Sequence, residues 1–199
     1  MSNGSLHELL RAGELSWKKT FNMQTFLWMT TCNKNSDNFG LRILGARFVS
    51  KPKPIVVEGL YVTAGSLVPE YLFCNTVTGK SHVYSFGIVL LQVVWTRSVF
   101  HAVISGYHPE KPFEEEIDPN IKGNIAPKCW QVFIDIAQRC LENEVDQRPT
   151  MGEVEVELER ALSLQEQEDI TNTNGHYTLL STTIMNAFSQ IIWALGDQV

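Results

Sequence analysis

The sequence predicts a mainly α-helical fold, and three stretches of the 199-residue chain support that prediction. Residues 83–94 are apolar on every side of a helix, as expected for a helix buried at the centre of a domain. Residues 127–141 open with a proline and repeat apolar pairs at helical spacing. Residues 150–162 open with a capping box and continue with apolar residues on one face. A chain of this length accommodates one domain, or one domain with a tail.

The helix at 83–94 is the most apolar of the three. Its apolar residues are Val83, Phe86, Val89, Leu90, Val93 and Val94. Ser81 precedes them and is the predicted N-cap, because a serine hydroxyl can accept a hydrogen bond from a free amide of the first turn. We therefore expect this helix to lie at the centre of the fold, with other helices around it.

The other two helices are separated by a break at 146–149. Pro127 occupies the first turn of the helix before the break, where a missing N–H is tolerated. Thr150 caps the helix after the break, and Glu153 follows three residues later. The predicted inner faces are formed by Val132, Phe133, Ile136, Ala137, Cys140 and Leu141 in the first helix and by Val154, Leu158, Ala161 and Leu162 in the second.

The end of the chain is predicted to be a linker followed by an amphipathic helix. Residues 168–177 are polar and rich in turn formers, which indicates the linker. The helix is predicted at 178–199, with an apolar face formed by Leu180, Ile184, Phe188, Ile191, Ile192 and Leu195. This face either packs on its own domain or binds a partner. Its polar side carries no Lys or Arg, which disfavours a helix at a membrane surface.

The stretch Arg47–Val57 is predicted to be an exposed loop. Pro52 and Pro54 restrict their neighbours to extended conformations. Lys51 and Lys53 precede these prolines, and they either contact only water or steer a phosphate or an acidic partner.

Composition excludes several classes of protein. The net charge is −6 and basic residues are scattered, which excludes a nucleic-acid surface. No signal peptide opens the chain, and no stretch has the ~18 consecutive apolar residues of a membrane span. Cys32, Cys74, Cys129 and Cys140 show no metal-site spacing, so we expect reduced, buried or half-buried thiols, as in the cytosol.

A series of motifs occurs in a fixed order along the chain. They are Val68-Pro69-Glu70-Tyr71, Ser81-His82-Val83-Tyr84-Ser85-Phe86-Gly87, Ile117-Asp118-Pro119-Asn120-Ile121-Lys122-Gly123, Ala137–Glu142 and Asp146–Met151. In this order they resemble the large lobe of plant receptor-like serine/threonine protein kinases. The segment Leu158–Glu166 is similar to the malectin-type group of these kinases.

The resemblance implies the large, C-terminal lobe of a protein-kinase-like fold with the small lobe absent, because Met1–Leu6 resembles the segment just after the hinge between the lobes. It also implies four regions of the chain. These are a degenerate start of the large lobe with altered catalytic and activation segments at 1–59, the helical core of the lobe at 60–167, the linker at 168–177 and the C-terminal helix at 178–199.

The resemblance assigns structural roles to single residues. In the family, the positions of Glu70 and Arg148 form a buried ion pair that ties the activation segment to the lobe. His82 replaces an aspartate that accepts hydrogen bonds from the catalytic loop. Because a neutral imidazole accepts only one hydrogen bond, we expect His82 to be a buried or half-buried structural residue. The substrate-docking loop implied by the family contains Thr63, Gly65, Pro69 and Tyr71.

The groups that transfer phosphate are missing from the sequence. It contains no G-x-G-x-x-G loop and no Val-Ala-Ile-Lys lysine. None of its five histidines is followed by Arg-Asp, and Phe21–Asn35 is too short to hold the catalytic loop. No catalytic or cofactor-binding residue is therefore assigned, and the ATP and magnesium that the family uses are not expected to bind.

The magnesium motif survives in altered form. Asp37, Asn38, Phe39 and Gly40 resemble it, with one residue inserted between the aspartate and Phe-Gly. Asn38 then stands at the ligand position, and a neutral amide is a weaker magnesium ligand than a carboxylate. The alternative is that these residues form an ordinary turn.

Three functions follow from the resemblance. The leading hypothesis is a catalytically inactive kinase-like lobe that keeps a binding or regulatory role in kinase signalling. Its implied partner is a full-length receptor kinase or that kinase's protein substrate, in the cytoplasm. The first alternative is an active serine/threonine kinase, and the second is the product of a non-functional gene fragment.

Overall fold

The structure is a computed structural model that describes residues 55–56, 68–94, 123–173 and 175–178. In chain order these residues form strand β1 (Ile55–Val56), helix α1 (Pro69–Cys74), strand β2 (Thr76–Val77), helix α2 (Gly79–Val94), helix α3 (Pro127–Cys140), a 3-10 helix (Val145–Gln147) and helix α4 (Met151–Thr171). Helix predominates in these residues, as predicted. The altered metal motif and Phe21–Asn35 lie outside them, as does the helix predicted at 178–199 apart from Thr178.

Helix α2 lies at the centre of the described core, as its apolar sequence predicts. Its own residues from Val83 to Leu91 are all buried. The helix begins at Gly79, so the prediction that Ser81 is its N-cap is wrong. Thr78 caps the first turn instead, because its Oγ1 accepts a hydrogen bond of 3.1 Å from the Lys80 amide. Ser81 Oγ accepts one of 2.9 Å from the Thr78 amide in return.

Helix α3 packs against α2 on one side and against α4 on the other. Pro127 is its first residue, as predicted. The capping box of α4 is also confirmed, since Thr150 Oγ1 accepts from the Glu153 amide at 3.2 Å and Glu153 Oε2 accepts from the Thr150 amide at 2.7 Å. The inner face of α4 consists of Val154, Leu158, Ala161 and Gln165. Gln165 is a polar residue that the apolar pattern did not reveal.

Helices α2 and α3 approach closely at Gly87. A Cβ atom placed on Gly87 would lie 2.8 Å from Cys140 Cβ and 3.0 Å from Leu141 Cδ2. These distances are shorter than carbon atoms in contact allow. The absence of a side chain at Gly87 therefore sets how near the end of α3 comes to α2.

One short sheet contradicts part of the predicted loop at Arg47–Val57. Ile55 and Val56 pair with Val77 and Thr76 in an antiparallel ladder. Val77 is fully buried, whereas Val56 is 70% exposed. The two residues are strand because their backbone groups bond to the segment between α1 and α2.

The predicted boundary of the linker at 168–177 is also wrong. Helix α4 continues to Thr171, so its last turn occupies the first four of those positions. The chain then returns towards the start of α3, where the Tyr177 amide donates a hydrogen bond of 2.8 Å to Gly123 O. This contact is made by backbone atoms, so the side-chain pattern of the segment does not reveal it. In the described part of the chain, no helix combines the length and apolar character needed to cross a bilayer.

Candidate functional site

The ion pair implied between Glu70 and Arg148 is present, and it is the centre of the candidate site. Arg148 Nη1 and Nη2 donate to Glu70 Oε1 and Oε2, both at 2.9 Å. The Arg148 side chain is 0% exposed and the Glu70 side chain is 10% exposed. Two parallel bonds in a buried setting fix the orientation of both groups as well as their distance.

Helix α1 positions Glu70. Val68 is extended, and Pro69 supplies the first helical residue with its φ already fixed. Glu70 therefore stands in the first turn, where a carboxylate also interacts favourably with the helix dipole. Asn75 ends the helix in the left-handed conformation, with φ of 51°, so α1 stays short.

Arg148 lies just after the 3-10 helix, in an extended conformation. Its remaining donors bond to backbone carbonyls. Nε donates to Glu142 O at 2.7 Å, and Nη1 and Nη2 donate to Lys80 O and Asn143 O at 3.3 Å each. A guanidinium has five N–H donors, and all five are used here. Arg148 therefore keeps no donor for a substrate phosphate, and its role is to hold protein segments together.

The first turn of α2 completes the site. The Ser81 hydroxyl donates to Glu70 Oε1 at 2.5 Å. Lys80 Nζ donates to the backbone carbonyl of Arg148. The buried ring of Tyr84 lies 4.8 Å from the centre of the Arg148 guanidinium, a cation–π distance. The site thus joins α1, the start of α2 and the segment before α4.

Sequence reasoning missed Lys80, Ser81 and Tyr84 as members of this site. A signal was available for two of them, since Ser81 and Tyr84 are three residues apart and share one face of the helix. Nothing in the local sequence indicates the bond from Lys80 to a carbonyl that lies 68 positions away.

The charge of Glu70 is set by its neighbours. Burial alone would raise the pKa of this carboxyl group, but hydrogen bonds from Arg148 and Ser81 hold the pKa below its usual 4.5. A carboxyl group with a lowered pKa in the folded state stabilises the fold above its usual pKa. That contribution is lost as the pH falls through the lowered value.

We therefore expect stability to fall below about pH 4.5, the usual pKa of glutamate, and to fall less steeply in the Glu70→Gln variant. The variant is less stable than the native chain at pH 7 but loses less on acidification, because its amide does not titrate. Urea unfolding at a series of pH values measures both curves. Glu166→Gln, at an exposed position of α4, is the matched control and should leave the slope unchanged. Equal slopes for Glu70→Gln and the native chain would contradict the assignment.

His82 is half-buried near this site, in α2. Burial lowers the pKa of the imidazole, so His82 is neutral at pH 7. Its burial agrees with what the sequence led us to expect, and its structural role stays a prediction.

The docking residues are only partly covered by the structure. Thr63 and Gly65 lie outside the described residues. Pro69 and Tyr71 lie in α1 and not in a loop, with Pro69 buried and Tyr71 half-buried. Tyr71 packs against the core, so only part of its side chain is available to a partner.

The described cysteines differ in their exposure to solvent. Cys129 and Cys140 are buried thiols, and burial raises the pKa of Cys140 to about 12. Cys74 is exposed, which contradicts the prediction of buried or half-buried thiols. Across residues 55–56, 68–94, 123–173 and 175–178, no group of three or more His, Cys, Asp or Glu side chains could hold a metal ion. Asp37 to Gly40 lie outside that part of the chain.

Comparison with known proteins decides the family. The profile of the protein tyrosine and serine/threonine kinase family matches residues 56–158, about half of the chain. This chain belongs to that kinase family. Within the matched segment lie both residues of the buried ion pair.

Similar proteins identify the branch of the kinase family. Receptor-like protein kinase ANXUR2 of Arabidopsis thaliana is 38% identical over 143 residues, which cover 66% of this chain and 16% of ANXUR2. ANXUR1 from the same plant is 36% identical over 145 residues, covering 67% and 17%. FERONIA, also from Arabidopsis thaliana, is 32% identical over 143 residues, covering 66% and 16%.

These relatives place this kinase-family chain among plant receptor-like kinases of the malectin type, as the motifs indicated. The chain matches less than a fifth of the length of these relatives. It is a kinase-domain fragment, and its described helices are compatible with a large lobe.

Proposed function

We propose that this chain is the large-lobe portion of a receptor-like kinase domain and that it acts by binding and not by transferring phosphate. The helical core that the structure describes runs from α1 to the end of α4. The observation that carries the proposal is a contrast. The buried bond between Glu70 and Arg148 is kept, whereas the sequence has no His-Arg-Asp triplet and carries His82 in place of an aspartate.

The geometry supports binding for a second reason. Every donor of Arg148 is engaged with protein atoms, so this buried cation is not available to the phosphates of ATP. In the described residues, no acidic cluster is arranged to hold magnesium. Removing several groups that act together lowers phosphoryl transfer by orders of magnitude.

The partner that fits this proposal is a full-length receptor-like kinase or its protein substrate, and binding takes place in the cytoplasm. A lobe that keeps the docking region competes with the complete kinase for the same partner. Thr63 and Gly65 belong to that region. Replacing both with larger residues should weaken binding to a receptor-like kinase domain in isothermal titration calorimetry. Val156→Ala, at an exposed position of α4, is the control that should leave binding unchanged.

We expect the purified chain to transfer no label from γ-labelled ATP and magnesium to a generic protein acceptor. An active malectin-type kinase domain in the same buffer is the positive control. The His82→Asp variant should stay inactive, because one restored residue does not supply a catalytic loop. Label above background in the native chain would support the alternative of an active kinase, and loss of that label in Asn38→Ala would assign the metal motif a working role.

A cooperative thermal melt distinguishes the binding module from the product of a non-functional gene fragment. A folded lobe held by the Glu70–Arg148 pair unfolds in one transition, and an unstable product shows none. The melt is measured on the same preparation as the transfer assay. A cooperative melt without phosphoryl transfer is the result that the proposal requires.

A further inference from the structure

Hydrogen bonds hold the segment after α4 against the residues that precede α3. We call residues 175–178 the latch. The Tyr177 amide donates to Gly123 O at 2.8 Å, and the Asn172 side chain donates to His176 O at 3.0 Å. The Tyr177 ring packs against the hydrophobic core. The latch therefore fixes where the chain leaves the helical core.

Tyr177 is joined through its hydroxyl group to a buried polar side chain. Its Oη donates to Asp169 Oδ1 at 2.9 Å, and the same oxygen accepts from Gln165 Nε2 at 2.7 Å. Gln165 is 0% exposed and also bonds to the start of α3, accepting from the Ala126 amide at 2.7 Å and donating to Asn124 O at 3.2 Å. Asp169 thus links the surface hydroxyl of the latch to the interior.

Gly123 is the residue to which the latch is hydrogen-bonded, through its carbonyl oxygen. Its φ is +81°, a conformation that favours glycine. A Cβ placed on Gly123 would lie 3.5 Å from His176 Nδ1, an ordinary contact distance. Gly123 therefore serves the turn, and the imidazole of His176 lies directly over it.

The latch carries a hydroxyl group that donates a hydrogen bond to a carboxylate. Burial and the hydrogen bond to Asp169 raise the pKa of Tyr177 against a hydrogen bond with Asn172 that lowers it, and the charges of Asp169 and Glu168 also raise it. Tyr177 is half-buried, and its neighbours in the latch are exposed. A large anion added at Oη would meet these carboxylates and remove the donor that Asp169 accepts from.

We propose that Tyr177 is a phosphorylation site and that phosphorylation opens the latch. A tyrosine-directed protein kinase transfers the γ-phosphoryl group of ATP to Tyr177 Oη. A bond forms between Oη and phosphorus, the bond from phosphorus to the β–γ bridging oxygen breaks, ADP leaves, and a base of that kinase takes the phenolic proton. The product carries about two negative charges at pH 7 beside Asp169 and Glu168.

Among the described residues, Lys128 is a cation close to these carboxylates and would oppose this effect. Its Nζ lies 2.8 Å from Glu168 Oε1, and its side chain is 70% exposed. An exposed pair of this kind contributes little, and it already uses the lysine charge. Repulsion from the carboxylates of α4 therefore predominates, and residues 175–178 detach.

The test is hydrogen exchange on the full chain with phosphotyrosine incorporated at position 177. The Tyr177 amide bonds to Gly123 O only when the latch is closed. We expect its exchange to be about tenfold faster after phosphorylation, from the lost hydrogen bond and the added repulsion. Far-UV circular dichroism on the same samples should show unchanged helix content, which establishes that only the latch has opened.

Two matched variants isolate the cause. Phosphothreonine at the exposed Thr178 adds the same charge one residue away without removing a latch bond, and it should change the exchange by about twofold or less. In an Asp169→Asn background an acceptor oxygen is kept and the charge is lost, so phosphorylation at 177 should accelerate exchange less. Unchanged or slower exchange of the phosphorylated chain would overturn the proposal, as would equal acceleration in both backgrounds. The readout needs no activity of this chain, so it is independent of the proposed function.

Discussion

Replacing Arg148 with alanine is expected to lower the free energy of unfolding by about 3–5 kcal/mol. The substitution leaves the carboxylate of Glu70, 10% exposed, without its partner. It also removes the hydrogen bonds that Arg148 donates to the carbonyls of Glu142, Asn143 and Lys80. An unpaired buried charge accounts for most of the loss. Urea unfolding at pH 7, followed by far-UV circular dichroism, measures it.

Two other variants make the Arg148 result specific. Arg160→Ala breaks an exposed pair with Glu157 at 3.3 Å, and it should cost about 0.5 kcal/mol or less. Arg148→Lys keeps the charge but cannot form the two parallel bonds, so its stability should lie between that of the native chain and that of Arg148→Ala. A loss below about 1 kcal/mol for Arg148→Ala would contradict the account of the buried pair.

Replacing Gly87 with alanine is expected to destabilise the fold by about 1–3 kcal/mol, although alanine is the better helix former. The new Cβ would lie 2.8 Å from Cys140 Cβ, and neither atom belongs to a flexible chain end. The helices must move apart, and the packing between α2 and α3 loosens. Thermal unfolding of the variant measures the change.

Gly152→Ala is the control for Gly87→Ala. Gly152 also lies in a helix, and a Cβ placed there has no heavy atom within 4 Å. This substitution should be neutral or stabilise by up to about 1 kcal/mol. Adding Cys140→Gly to Gly87→Ala removes the atom in closest contact and should recover part of the lost stability. A Gly87→Ala chain as stable as the Gly152→Ala chain would show that α2 and α3 are not in close contact at that point.

The helices could be predicted because their causes are local in sequence. Apolar spacing sets the buried faces of α2, α3 and α4, and Pro127 and the Thr150–Glu153 box set two of the starts. The start of α2 was predicted three residues late, because Thr78 and Ser81 both have hydroxyl groups suited to a cap. Which of the two caps the helix depends on a contact distant in sequence, because the Ser81 hydroxyl donates to Glu70, 11 positions earlier.

The parts that could not be predicted depend on polar or distant contacts. The strand Ile55–Val56 is two residues long, too short for alternation to show. Gln165 and Asp169 are polar, so the spacing of apolar residues does not predict the last turns of α4, where they lie. The ion pair joins residues 78 positions apart, and only the family resemblance indicated it. Its further bonds to Lys80 O, Glu142 O and Asn143 O have no counterpart in any motif.

The buried ion pair also has a consequence for which parts of the core can open separately. It joins α1 to the segment just before α4, although the two residues are 78 positions apart in the sequence. Detaching either segment alone would leave a buried charge without its partner, which costs several kcal/mol. Local opening of α1 and of the segment before α4 should therefore occur together, as one cooperative unit.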